Sequence, residues 1–363
     1  MFRLKCLLFI NQTQFGYHTV SYYYCKYLRN NYRIVYLCFD ENKERVNLDN
    51  VDVVYLHIGK NKIIKYFRFL RAIRRHYKKN YIIMVKYFRG AFIIPIITNF
   101  ANAILDIRSG SVNRNEKISI LLNYLLRLET KFYRRVTIIS SSLAKELYLQ
   151  KYHVLPLGAD IVRTNPKVFD KLKLLYVGSL VNRNLEVTIR GIDEFIRNGH
   201  SRREIEFVLI GQDKNNAKLK LERLISDLKL DKLIDVYDEV PFYKLYDFFQ
   251  ECNVGISFVP MIHVYQSQPP IKTFEYIAAG MIVLATKTIE NQKIINPING
   301  ILIEDNYRDF ARGLNEIYLR RSEFDSSKIK ETISDYYYGK IVNNQLFPFL
   351  QMVESNMGMN PKS

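Results

Sequence analysis

A lysine and a glutamate, Lys272 and Glu275, stand three residues apart just beyond the pair Pro269-Pro270. Lysine can neutralise a phosphate, and a carboxylate can accept from sugar hydroxyls. Two prolines cannot sit inside a helix but suit its first turn, so a helix starting at Pro270 is expected. Ile271, Phe274, Ile277 and Ala278 recur at helical spacing, and Gly280 marks the stop. Ile282 to Ala285 then reads as a short buried strand of a parallel sheet. The start of such a helix offers free N–H groups and the positive end of its dipole, an arrangement that binds anions. Lys272 and Glu275 fall on one face of its first turns. The plainer reading is a helix start with a surface Lys–Glu pair.

Other strand-to-glycine turns point the same way. Lys173 to Val177 reads as a strand, followed by Gly178 and Ser179, with Arg183 close to the next helix start. Glycine at a strand end with a cation nearby is phosphate-site chemistry; the competing reading of Arg183 is a surface arginine. A further strand, Glu206 to Ile210, ends at Gly211. At the front of the chain, strand Leu4 to Ile10, a loop holding Gly16 and His18, and helix Val20 to Leu28 form the opening unit of a nucleotide-binding α/β layer. One glycine is too few for the dinucleotide fingerprint. Asp106 and Arg108 leave the carboxyl end of another strand, where polar work on a substrate and a structural salt bridge are equal contenders.

The totals frame these motifs. At 363 residues, two domains are expected. An apolar content of 48% supports filled cores and argues against disorder. Cys6, Cys25, Cys38 and Cys252 show no metal-ligand spacing and read as buried thiols of a reducing compartment. The N-terminal apolar run is too short for a signal peptide, and no span is long enough to cross a bilayer; a cytoplasmic protein is expected. Residues 1–165 hold 28 Lys and Arg against 10 Asp and Glu, whereas residues 166–363 hold 26 of each. A basic half implies an anionic partner: membrane lipid, lipid-linked phosphate or nucleic acid. Residues 62–79 form one expected amphipathic helix with an apolar stripe Ile63, Phe67, Leu70 and Ile73. Its cations Lys65, Arg68, Arg71, Arg75 and Lys78 read either as a solvated face or as a face resting on anionic lipid.

The stretch Gln266 to Gly280 resembles the donor-binding signature of the family 4 retaining glycosyltransferases, in which a loop of the type Pro-x-Lys-x-x-Glu-Tyr-x-Ala-x-Gly opens a helix under the nucleotide sugar. Many members carry two glutamates separated by seven residues. Here the second is Glu275, and the first position holds Ser267, with Gln268 as the candidate replacement. The family's Arg after the glycine corresponds to Ser179, and its following Lys to Arg183, displaced by one residue. The turn at Gly211 is similar too, and the loop near Val240-Pro241 is where the family places the nucleotide base. Pro156-x-Gly158-x-Asp160 resembles the crossing into the second domain.

The resemblance implies an α/β protein of the GT-B fold, two Rossmann-like doubly wound domains facing across a cleft. Residues 1–165 would form the acceptor domain, 166–328 the nucleotide-sugar domain, and 329–363 helices crossing back to the first. It implies metal-independent, retaining sugar transfer from a UDP- or GDP-linked donor, a co-substrate rather than a cofactor, to a lipid-linked or cell-surface polysaccharide acceptor at the cytoplasmic membrane face. Arg183, Lys272 and Asp106 are the expected catalytic residues. Gly16, Gly178, Ser179, Arg183, Gly211, Val240, Gln268, Pro270, Ile271, Lys272 and Glu275 are the expected donor contacts. Peripheral attachment to the anionic inner leaflet is expected through the basic half. A GT-B nucleotide-sugar epimerase or hydrolase would need an acidic acid/base cluster, which the sequence lacks. A basic nucleic-acid-binding module would carry a recognised motif, and none is present.

Overall fold

Short apolar runs alternate with helical segments along the chain, the pattern that builds parallel sheets covered by helices. The computed structural model describes residues 5–57, 59, 61–99, 102–113, 115–213, 216–240 and 244–358. The chain divides into two units, Met1–Leu157 with Tyr338–Ser363, and Gly158–Tyr337.

The first stretch runs β1 (Lys5–Ile10), α1 (Thr19–Leu28), β2 (Tyr32–Asp40), β3 (Val51–His57), α2 (Lys62–His76), β4 (Ile82–Lys86), α3 (Ile93–Ile97), β5 (Ala103–Ile107), α4 (Glu116–Thr130), β6 (Arg135–Ile138), α5 (Ser141–Glu146) and β7 (His153–Val154). These strands form a seven-stranded parallel sheet in the order β3-β2-β1-β4-β5-β6-β7. Direction reverses between β1 and β4, and the loops at such a switch point, beyond the carboxyl ends of the strands, are where α/β sheets bind ligands. Leu7, Phe9, Ile34, Ile83, Val85 and Ile104 are fully buried in this sheet's core.

The second unit continues with β8 (Leu172–Val177), α6 (Glu186–Arg197), β9 (Ile205–Gly211), α7 (Ala217–Asp227), β10 (Ile234–Asp238), α8 (Leu245–Glu251), β11 (Val254–Ser257), α9 (His263–Gln266), α10 (Ile271–Ala278), β12 (Ile282–Thr286), α11 (Asn291–Ile294), β13 (Gly300–Ile303), α12 (Tyr307–Leu319) and α13 (Ser326–Glu331). Its six strands are parallel in the order β10-β9-β8-β11-β12-β13, with the reversal between β8 and β11. The chain then returns to the first unit as α14 (Tyr338–Ile341), a π-helical turn and α15 (Phe347–Gly358). Tyr338 stacks on Tyr23 of α1 at 4.8 Å between ring centroids.

The unit boundaries differ from the expected 165 and 329. The linker residues after Gly158 are tied into the second unit: Thr164 Oγ1 donates to the Ala279 carbonyl at 2.8 Å, and Lys330 Nζ donates to Thr164 Oγ1 at 3.0 Å. A polar composition marked the stretch as a linker, but its hydrogen bonds belong to one side. Only the helices from Tyr338 onward rejoin the first unit.

The helix expected over 62–79 ends at His76, and its orientation corrects the expected stripe. Ile63 and Phe67 are 67% and 65% exposed, while Phe69 and Ile73 are fully buried. The Phe69 ring fits against Phe39 and Phe88, at 4.8 and 5.6 Å. That aromatic contact rotates the helix and leaves the two outer apolar residues in solvent. The short α9 was not anticipated. Pro241, of the loop where the resemblance places the nucleotide base, lies outside the described residues. Among the described residues no helix is long and apolar enough to cross a membrane.

Gly211 shows how closely the strand ends approach in the second unit. A Cβ built there would sit 1.8 Å from the Gly178 carbonyl oxygen. Gly211→Ala is therefore expected to destabilise the protein by about 2–3 kcal/mol, read as a lower midpoint in urea unfolding.

Candidate functional site

Helix α10 is fixed by polar contacts along its buried side. The Tyr276 hydroxyl accepts from the Val177 amide of β8 at 2.8 Å, and its ring lies against Gly255 of β11, where a Cβ would come within 2.3 Å of the ring. Thr273, one turn earlier, shares a 2.7 Å hydrogen bond with Ser257 and donates to Asn291 Oδ1 at 3.1 Å. Asn291 in turn donates to the Thr286 carbonyl at 2.8 Å. This buried polar chain ties the helix to β11 and β12. Sequence reasoning missed it; the regularly spaced apolar residues drew attention away from Thr273 and Asn291.

Lys272 lies one turn before Tyr276 on the same face, so the contact between Tyr276 and Val177 aims it at the end of β8. The lysine is only 9% exposed. Its ammonium has no hydrogen-bond partner among the described residues. It rests 3.7 Å from the centroid of the Tyr176 ring, and a Cβ on Gly178 would lie 3.0 Å from Nζ. Glycine at 178, with φ of +151°, thus leaves the cation an open approach. Burial pushes the Lys272 pKa well below the ordinary lysine value; Arg183 pushes the same way, and Glu275 opposes both.

Arg183 comes from the loop between β8 and α6. Asn182 and Asn184 on either side adopt positive φ, 63° and 52°, a conformation asparagine tolerates. The guanidinium lies 4.5 Å over the Tyr265 ring. Among the described residues Arg183 has no salt bridge to a carboxylate. Tyr176, fully buried, donates to the Ser179 carbonyl at 2.8 Å, while the Ser179 hydroxyl closes its own turn onto Val181. Two aromatic rings therefore carry the two cations at the strand reversal, and among the described residues neither cation forms an ion pair.

Glu275 is half-buried and forms no ion pair with Lys272 within 4.0 Å among the described residues. Burial pushes its pKa up to about 7, partly offset by Lys272. Pro270 precedes the helix with φ −74° and ψ 122°. Ile271 and Lys272 supply first-turn amides that have no carbonyl four residues back in the helix. Gln268, the candidate for the missing first glutamate, donates its amide to the Val264 carbonyl at 2.6 Å, which leaves its oxygen as the group to offer. Gly211 accommodates Gly178 rather than presenting a group of its own, and Val240 lies half-buried just past β10.

Gly16 has φ of +90°, and a Cβ there would come within 2.5 Å of Val46. His18 caps α1: its Nδ1 accepts from the Ser21 amide at 3.3 Å, which leaves Nε2 to carry the proton of the neutral ring. Burial, then Lys86 and Arg108, hold its pKa well below the ordinary histidine value. Asp106, expected among the catalytic residues, is a fully buried anchor. It pairs with Arg108 and accepts from Thr137 Oγ1 at 2.6 Å, and Arg108 also donates to the Leu155 carbonyl at 2.9 Å. Its oxygens are occupied, so the salt-bridge reading of this pair is the one the geometry favours.

Residues 171–319 match the family model described as Glycosyl transferases group 1, a span that contains Gly178, Ser179, Arg183, Gly211, Val240, Gln268, Lys272 and Glu275. Sucrose-phosphate synthase from Thermosynechococcus elongatus superposes with a TM-score of 0.74 and 13% identity, over 97% of this chain and 100% of that one. A glycosyltransferase from Rickettsia africae gives 0.69 and 14%, over 99% and 100%. Anabaena HepE in complex with UDP-glucose gives 0.72 and 12%, over 96% and 100%. No curated protein sequence matches the chain. The fold is GT-B, built from two Rossmann-like parallel-sheet domains. With the family match over 171–319, it supports a glycosyltransferase.

The two buried charges fix opposite pH responses of the ligand-free protein. Lys272, lowered in the folded state, destabilises fully below its folded pKa; stability returns as pH rises from its folded toward its unfolded pKa. Lys272→Met should therefore raise stability by about 1 kcal/mol at neutral pH. Glu275, raised to about 7, contributes stability that is complete below the ordinary glutamate range and lost as pH rises through about 7. Glu275→Gln should raise the thermal midpoint above that pH and leave it nearly unchanged in acid. Calorimetric scans across pH check both.

Proposed function

We propose that the protein is a metal-independent, retaining glycosyltransferase. It would move a sugar from a UDP- or GDP-linked donor to a lipid-linked or cell-surface polysaccharide acceptor at the cytoplasmic face of a membrane. The observation that carries this reading is the buried Lys272 ammonium, without a hydrogen-bond partner among the described residues, at the start of α10 beside Gly178. A cation held in that state lacks an anion, and a diphosphate fits the vacancy in charge. The family match over the same segment and the UDP-glucose in the HepE structure support the donor class.

On this reading the chain's own residues act on the leaving group. As the glycosidic bond to the diphosphate breaks, negative charge grows on the departing oxygen. Lys272, Arg183 and the amides of Ile271 and Lys272 meet that charge with donors already in place, in a site where burial strengthens the attraction. Glu275, in its ionised form, accepts from hydroxyls of the donor. Gln268 offers an oxygen in place of the absent first glutamate. The protein's own cations thus do what a bound metal would do elsewhere. Asp106 holds Arg108 and the loop after β5, a positioning task for the acceptor side.

A thermal-shift panel of UDP- and GDP-sugars tests the donor site. The wild type is expected to shift with one nucleotide series, and Lys272→Ala and Glu275→Ala to lose roughly tenfold or more in affinity, consistent with charge-assisted contacts. Equal shifts in all three proteins would remove the site. Donor affinity should also fall as pH drops through about 7, where Glu275 gains its proton, and Glu275→Gln should flatten that dependence.

A further inference from the structure

The surface of the first unit carries apolar side chains that none of the described residues covers. On α2, Ile63, Ile64 and Phe67 are 67%, 49% and 65% exposed. The same outward side carries Arg68, Arg71, Arg74 and Arg75, all exposed, toward the helix end. On α4, Ile120, Leu121 and Tyr124 are 58%, 56% and 52% exposed. The right-handed rule for parallel crossovers puts α2, α3 and α4 on one side of the sheet. The turn after β4 joins them: Tyr66 of α2 donates to the Gly90 carbonyl at 2.6 Å, and the Gly90 amide donates to Glu129 of α4 at 3.1 Å. Just past α4, exposed Phe132 lies between exposed Lys131 and Arg134. The exposed apolar residues of the second unit, such as Leu319 and Val168, come instead from separate elements. Exposed apolar side chains grouped on one side of a sheet and flanked by cations mark a docking site.

We infer that the outward faces of α2 and α4 together form the surface by which the protein docks on a bilayer containing anionic lipid. Apolar side chains enter the interface while the arginines of α2 stay at the level of the phosphates. Charge selects this occupant. Residues 1–165 hold 28 Lys and Arg against 10 Asp and Glu, and α2 contains no acid. A second copy seated on the same face would bring like charge against like charge, whereas an anionic leaflet complements it. The proposal deepens the membrane part of the reading above and is independent of sugar transfer.

The chain contains no tryptophan. Phe67→Trp and Tyr124→Trp each place a single indole on the proposed face, and Leu319→Trp places one on the second unit. Adding phosphatidylglycerol-containing vesicles to the full chain should shift the emission of the first two to the blue and leave the third unchanged. Pure phosphatidylcholine vesicles should shift none. In co-sedimentation, Phe67→Asp with Leu121→Asp, and Arg71→Glu with Arg75→Glu, should each weaken partitioning roughly tenfold, with unchanged circular dichroism. If the chain sediments with anionic vesicles while both indoles keep a solvent-exposed emission, the face is wrong although the membrane reading survives. If the chain ignores anionic vesicles, both fall, and transfer to a soluble acceptor analogue is left to judge the enzyme reading. A blue-shifted indole in a lipid-free dimer would assign the face to a second copy and overturn the proposal.

Discussion

The hydrogen bond from the Val177 amide to the Tyr276 hydroxyl is the contact on which the candidate site depends. It joins the last residues of β8 to the middle of α10, and every distance that matters is measured from that joint. One helical turn before Tyr276, the Lys272 side chain has little choice but to run along Tyr176 toward Gly178. The ring beneath the ammonium gives it a face of negative charge density without giving it a proton acceptor. A carboxylate in that position would have satisfied the lysine and closed the site. The fold instead buries the cation with no carboxylate paired to it among the described residues, and Thr273 with its buried partners holds the helix in that place.

The two units use charge in different ways. In the second, isolated cations at a strand reversal are set against rings. In the first, the corresponding reversal holds His18 near Lys86 and Arg108, and the carboxylate of Asp106 there is consumed by Arg108 and Thr137. Charge is otherwise spread over its helices, most densely along α2. The basic excess seen in the composition thus has an address on the molecule, and it coincides with apolar side chains that the core did not take.

Much of this was legible from residue types. The helix at 271–278 and the strands on both sides of it follow from proline, glycine and apolar spacing, because those signals act through the local backbone. Lys272, Arg183 and Gly178 could be grouped because each sits at the carboxyl end of a strand or the start of a helix, positions that topology brings together. The rest depended on contacts distant in sequence. The rotation of α2 was decided by where Phe69 met Phe39 and Phe88, and nothing within residues 62–79 records that. The saturation of Asp106 required Thr137, 31 positions away. The linker looked free because its composition is polar, although Thr164 and Lys167 spend their hydrogen bonds inside the second unit. Gly16 and Gly211 also answer to demands their neighbours in sequence do not show, a left-handed turn against Val46 and the close approach of the Gly178 carbonyl.

The first unit is assembled from two separated stretches, with the whole of Gly158–Tyr337 between them. During synthesis the ribosome delivers the seven strands early and the helices that cover α1 last. Until Tyr338 arrives to stack on Tyr23, and Glu354 to reach Lys5, one flank of the nascent sheet waits uncovered while the inserted unit has every residue it needs to finish. The order of maturation is therefore reversed relative to the order of translation, and the basic half of the molecule passes that interval incomplete, at the stage when a chaperone or an adhesive surface would find it most accessible.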